Sequence, residues 1–473
     1  MRALGRRLDY LTGSTRGLLL AVTGWEALII ALLGTISAPM QTLLGFSVDL
    51  PEVERVGRIV MVYHALAIPF VAAITYLILD MVPTTAGVTQ HPDVARSVRR
   101  AITPGYMLTS VGALTFAYVG RNWLFHGVMV LGQSLVFYAG VVLAVGLWPG
   151  RHPNTDPAYA HVGSISLERV AFFTVAVTTL ISVVIGAGAG AFFGNGFEAV
   201  LAEDVVRAEH DLGELAVIAH LHIMLALIDV AIFLLIVRWF DLKGPLHKVA
   251  MPLTIVGTLV MAVGCWGVMV WEGIAHTIIY AGSTLVLLAA LLMTIAGIDR
   301  LIKDRLAEHR ITDATAGQKI RALLHDPLKL GPFFQMIWLQ PVMVFPGLYT
   351  AVKLDEVFRT WPLEAERRIL VGHWHILATV SATILLFLVA DRLGVRGWMR
   401  QVLGWGVIVG SDVAFTFGAF YEFVPPNADR SWTRFYLDLG LGLTLIVLAL
   451  FLGRRLVDLF AGRGRWAEEE ISR

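Results

Sequence analysis

Twelve runs of mostly apolar residues dominate this chain. Each is long enough to cross the ~30 Å hydrocarbon core of a bilayer, and they fall at roughly 17–38, 57–83, 105–123, 124–147, 169–193, 214–239, 248–271, 274–298, 331–352, 367–391, 397–421 and 433–456. The residues are 57% hydrophobic and only 15% charged, with a mean hydropathy of +0.71, a balance that no soluble domain of 473 residues needs. The expected fold class is therefore all-α, a polytopic membrane protein of about twelve transmembrane helices forming one membrane domain over residues 1–473. The single cysteine, Cys265, lies in an apolar run and excludes disulfides and cysteine-ligated zinc or iron–sulfur centres. Membrane lipid is the expected partner and nucleic acid is not, though the net charge of +1 by itself says nothing about nucleic acid.

Orientation follows from the basic residues. With both termini on one side, that side collects 26 of the 37 Lys and Arg and the other collects ten, leaving Arg169 between them. The positive-inside rule then makes both termini cytoplasmic. The outer loops are acidic instead, with Glu198, Glu203, Asp204, Glu209, Asp211 and Glu214 in the largest. The N-terminus is basic, and its first run of about 21 residues suits a retained helix better than a cleaved signal. The charged stretch 299–330 reads as a cytoplasmic amphipathic segment.

An internal repeat adds order to the twelve runs. Ala219–His220–Leu221–His222–Ile223 opens the sixth run much as Gly372–His373–Trp374–His375–Ile376 opens the tenth, and the second run carries Tyr63–His64–Ala65. His64 stands 158 residues before His222, which stands 153 before His375, each close to a third of the chain. The pattern predicts three pseudo-symmetric groups of four helices, approximately 1–165, 166–325 and 326–473, each with a histidine-bearing second helix.

Two histidines two residues apart on a helix point about 200° from one another, so one helix can offer imidazoles to two clefts. Helices two, six and ten all enter from the outer side, and their histidines lie ~10 Å in. Imidazole is a common axial ligand of haem iron and a ligand of copper and zinc, and ionisable groups inside a span are rare and usually functional. His64, His220, His222, His373 and His375 are accordingly the expected ligand set. His126 and His276, near the outer ends of the fourth and eighth runs, read more readily as hydrogen-bonding groups. The glycine-rich stretch Ile185–Gly190 reads as a surface for close helix packing, and Glu26, Asp229 and Asp412 as intramembrane carboxyls able to carry protons.

A twelve-helix chain in three groups, with one histidine in helix two and His-x-His in helix ten, resembles the catalytic subunit of haem-copper oxidases and bacterial nitric oxide reductases. The resemblance spans most of the chain in architecture but only those two helices in motif. It implies a low-spin haem b held between His64 and His375, with His373 as proximal ligand of a second haem where O2 or NO reacts. It also implies haem-propionate contacts from Arg430 and Arg434, in the loop before the last helix.

The departures bear on the second centre. Helix six has His220 and His222 but no His-Pro-Glu-Val, helix seven has no histidine pair, and no tyrosine follows the helix-six histidines by one turn. The second centre is then either a bis-His haem joining His373 to His220 or His222, or a non-haem iron or copper at helix six with Glu272 or His276; a third haem is a further arrangement. The leading expectation is a respiratory membrane haem protein, with His373, His220 and His222 as the catalytic candidates in reduction of O2 or NO. Its setting would be a bacterial or archaeal cytoplasmic membrane. Its electron donor would be a quinol, a periplasmic cytochrome or a cupredoxin, with partner subunits alongside. The alternatives are a quinol-oxidising cytochrome b-type subunit without gas reduction, and a histidine-lined metal or small-molecule transporter.

Overall fold

The computed structural model describes residues 2–36, 38–48, 55–82, 92–120, 122–151, 156–193, 212–353, 357, 360–424 and 428–461. His91, His152 and His210 lie outside the described residues. The protein is an all-α polytopic membrane protein, and among the described residues ten helices are long and apolar enough to cross a bilayer. The Cα framework divides into two compact units, one of residues 1–235 and 251–286, the other of 236–250 and 287–473.

In the first unit, α1 (Arg2–Gly13) leads into α2 (Thr15–Thr35), whose N-terminus is capped by the Ser14 hydroxyl accepting from the Gly17 N–H at 2.9 Å. A short α3 (Ala38–Leu44) precedes α4 (Arg55–Met81) and α5 (Pro92–Tyr118). Asn122 caps α6 (Trp123–Gly146) by accepting from the Phe125 N–H. A two-stranded hairpin, β1 (His161–Val162) and β2 (Ile165–Ser166), turns the chain into α7 (Leu167–Phe193). At the foot of α7 the buried Arg169 donates to the carbonyls of Gly146 (2.6 Å) and Leu147 (3.2 Å), which α6 leaves open at its C-terminus. Then follow α8 (Leu212–Trp239), α9 (Pro245–Gly267) and α10 (Glu272–Glu308), each shared by the two units.

The second unit continues with α11 (Ala316–Leu324), begun by a Thr315/Gln318 capping box, and α12 (Pro327–Leu339). The ninth apolar run is not one helix. Pro341 and Pro346 cannot donate to the backbone ladder, and a π-helical turn at Gln340–Val344 separates α12 from α13 (Phe345–Val352). Neither piece alone is long enough to span, and α5 starts with Asp93, Arg96, Arg99 and Arg100, so these two runs are the ones outside the ten. The unit ends with α14 (Leu363–Arg392), α15 (Gly397–Phe423) and α16 (Ser431–Phe460).

Three adjacent helix pairs meet through glycine in the same way. A Cβ on Gly105 of α5 would stand 3.1 Å from the carbonyl oxygen of Gly132 on α6; Gly257 of α9 and Gly282 of α10, and Gly410 of α15 and Gly440 of α16, repeat this at 2.9 Å. In each pair the fourth residue after the first glycine (Thr109, Met261, Ala414) presents its backbone N–H group to the second glycine. Small residues let backbones approach where lipid supplies no hydrophobic force between helices.

Candidate functional site

Within the first unit, α4 and α8 bring His64 and His220 together. Their ring centroids are 6.5 Å apart and their planes are within 10° of parallel. The Nδ1 of His64 hydrogen-bonds the Val60 carbonyl one turn back on its own helix, at 2.8 Å. The Nδ1 of His220 does the same to the Ser182 carbonyl of α7, also at 2.8 Å. A carbonyl can only accept, so both rings carry a proton on Nδ1, and in the neutral form each keeps its lone pair on Nε2. Neither Nε2 has a hydrogen-bond partner among the described residues.

The rings are stacked, and each offers an Nε2, an atom type that ligates haem iron, copper or zinc. Ligating histidines usually donate their other N–H to a carbonyl or carboxylate, which fixes the tautomer and raises ligand basicity; both rings have that partner here.

The surroundings hold the pair in place. A Cβ on Gly186 would stand 2.5 Å from the His220 Nδ1, so the bare backbone of α7 lies against the imidazole. Ser182, fully buried one turn earlier, donates its hydroxyl to Thr178 O and accepts from the Trp266 indole N–H at 3.0 Å, tying α7 to α9. Below His64, Met61 and Ala65 pack into a cluster with Ala113, Phe116, Ala117 and Met129. The Ser110 hydroxyl donates to the Ala65 carbonyl at 2.8 Å, fixing α4 on α5.

In the second unit, α14 carries His373 half-buried and His375 exposed. A Cβ on Gly347 of α13 would collide with the His373 ring, so this imidazole too rests on a glycine of the preceding helix. The adjoining Gly372 lies against the carboxyl of Glu422, a buried acid of α15 one residue beyond the apolar run read from the sequence. Arg430 stacks its guanidinium 6.0 Å from the Tyr421 ring, and its Nε and one terminal nitrogen are enclosed without a hydrogen-bond partner among the described residues. Together with Ser431, Arg434, Phe435 and Asp438 these two residues line a shallow cavity of about 390 Å³. An enclosed, unpaired guanidinium there suits a carboxylate or phosphate. Beside it, Asp429 is held below the usual carboxylate range by the Ser431 backbone N–H and then by the Ser431 hydroxyl.

Other sequence candidates are placed less informatively. His222 is exposed on α8, as is His276 near the start of α10, and the side chains of Glu272 and Trp374 lie outside the described residues. His126 packs edge-on against Phe116 at 6.0 Å and near Trp123 at 5.7 Å. Among the described residues no three His, Cys, Asp or Glu side chains gather around a common point, so the notable feature is a two-imidazole pair. Sequence reasoning passed over Ser182, Glu422 and Gln335; a serine one turn before Gly186 carries no signal of its own until α8 is laid against α7.

No protein-family model matches the chain, and comparison with curated proteins gives no match either. The class is therefore set by the fold: a multi-pass, all-helical membrane protein.

Proposed function

We propose that this protein is a membrane-integral b-type haem protein of electron transfer, with His64 and His220 as the residues that would hold its haem. The observation that carries the reading is the spacing of these two imidazoles, with each Nδ1 anchored on a carbonyl. A haem held there would supply one-electron transfer. The chain's own part is to fix both tautomers through Val60 and Ser182, to hold α7 against His220 through Gly186, and to exclude water with the Met61–Phe116 cluster.

The resemblance to haem-copper oxidases and nitric oxide reductases would instead pair His64 with His375; the geometry inside the first unit favours His220. In the second unit His373, resting on Gly347, is the ligand for a second haem, with Arg430 and Arg434 as its propionate partners. O2 or NO reduction at that centre, if its other axial position is open, is the enzymatic form of this reading. A quinol, cytochrome or cupredoxin supplies the electrons. The location is a bacterial or archaeal cytoplasmic membrane with both termini inside.

Twelve spans in three groups of four complete the proposal. The glycine contacts of α5/α6, α9/α10 and α15/α16 support the grouping, because Gly105, Gly257 and Gly410 follow one another at intervals of 152 and 153 residues.

The test is a pyridine haemochrome assay with metal analysis on the purified protein, joined to reduced-minus-oxidised spectra. Soret and α bands with low-spin character are expected. Their complete absence, with zinc or copper bound in place of iron, would replace this reading with a metal-handling one.

A further inference from the structure

The second unit holds a further polar cluster. Gln335 of α12 is fully buried, and its amide nitrogen donates both to the Ser411 hydroxyl (2.8 Å) and to the Asp412 carboxylate (3.1 Å) of α15. The Ser411 hydroxyl already donates to the Val407 carbonyl, so it can only accept from Gln335. That fixes the amide with nitrogen toward Ser411 and Asp412. It leaves Oε1 buried with no hydrogen-bond partner in the protein among the described residues. A buried carbonyl left in this way is destabilising unless a donor from outside the chain reaches it.

The depth gives the cluster its meaning. Asp412 stands about 22 Å along α15 from Gly397 and about 16 Å from Phe423, near the middle of the span. A carboxylate at that depth is costly and is rarely kept without a task. Of the charged groups on the packed elements, Asp391 of α14 pairs with Arg400 at 2.6 Å, and on α16 Asp438 pairs with Arg434 at 3.8 Å and Asp458 with Arg454 at 3.3 Å. Lys329 is exposed, six residues before Gln335 on α12. Glu422 lies ten residues beyond Asp412 on α15, and His373 and His375 open α14.

We propose that Asp412, Gln335 and Ser411 form an intramembrane proton-binding site, in which water hydrogen-bonded to the Gln335 carbonyl delivers a proton to the Asp412 carboxylate. Hydronium gives up one proton, the carboxylate becomes a neutral carboxylic acid, and the water remains on Oε1. Gln335 holds the carboxylate from one side and the carrier water from the other, and Ser411 prevents the amide from turning over. The site stands whether or not the protein carries haem.

The experiment is infrared difference spectroscopy between alkaline and acid pH on the full chain in sodium-free lipid nanodiscs, in H2O and in D2O. A carboxylic-acid carbonyl band that grows on acidification, moves in D2O and vanishes in Asp412→Asn is expected. A band that survives in Asp412→Asn overturns the proposal, as does the same spectral change produced by sodium at fixed pH, which would mark a metal-cation site. Should Asp412→Asn fail to fold, Gln335→Leu keeps the carboxyl and must move the band's frequency; an unmoved band also overturns it.

Discussion

The imidazoles of His64 and His220 face each other across 6.5 Å, their planes 10° from parallel, and each is turned by a 2.8 Å bond from Nδ1 to a backbone carbonyl. Two neutral rings fixed in the same tautomer keep one Nε2 lone pair each. His64→Ala and His220→Ala should therefore behave alike. Each should lower bound haem at least about tenfold and abolish the low-spin signal, since one axial ligand cannot hold what two do. His375→Ala should leave that signal in place. Electron paramagnetic resonance of the oxidised protein reads all three, and a signal lost in His375→Ala but kept in His220→Ala would reassign the pair.

Gly186→Ala tests the same geometry without touching a ligand. The new methyl would stand 2.5 Å from the His220 Nδ1, too close for the ring and α7 both to stay. Overpacking of this kind costs about 1–3 kcal/mol, and here it also disturbs the bond to Ser182. Gly188 and Gly190 have open space where a Cβ would go, so their alanine variants serve as controls. Loss of low-spin absorbance in Gly186→Ala alone is the expected result.

The Asp429 carboxylate gives a pH-dependent outcome at the start of α16. Its pKa is lowered from 3.8 by the Ser431 N–H and hydroxyl, so its stabilising effect is present above that ordinary value. It is lost only as pH falls through the depressed folded value. Amide exchange at Ser431, compared between wild type and Asp429→Asn, should differ at neutral pH and converge in strong acid. Equal protection at neutral pH would remove Asp429 from that role.

Much of this architecture is written in the apolar runs, because a bilayer demands long helices and leaves little choice of secondary structure. The ninth run shows the limit. Its hydropathy is continuous, yet Pro341 and Pro346 break the backbone ladder into α12, a π-helical turn and α13. The His-x-His motifs were legible as two-faced: in both, the first imidazole is half-buried and the second exposed. That one helix-six imidazole would face helix two follows from their opposite directions, but that it is His220 and not His222 depends on how α4, α7 and α8 pack. The glycine-rich stretch 185–190 signalled close approach, and the group approached proves to be an imidazole ring at Gly186. Gln335 was invisible for a related reason: one amide in an apolar run has no meaning until Ser411 and Asp412 are beside it.

Arg400 offers a test of stability in the second unit. Its guanidinium forks onto both oxygens of Asp326 at 2.8 Å and reaches Asp391 at 2.6 Å, while Asp391 also accepts from the Trp239 indole at 2.9 Å. All three charged side chains are largely shielded, between 17% and 25% exposed. Arg400→Met would leave two carboxylates side by side without a cation, and about 3 kcal/mol of destabilisation is expected. Arg400→Lys restores charge but not the fork, because an ammonium cannot hold two carboxylates in the planar geometry of a guanidinium, so its loss should fall between wild type and Arg400→Met. Asp326→Asn removes one partner and leaves Asp391 paired, and should cost less than either. Thermal unfolding of the three variants in detergent gives the order; a Lys variant as stable as wild type would mean that net charge, not the fork, holds α12, α14 and α15 together at this end.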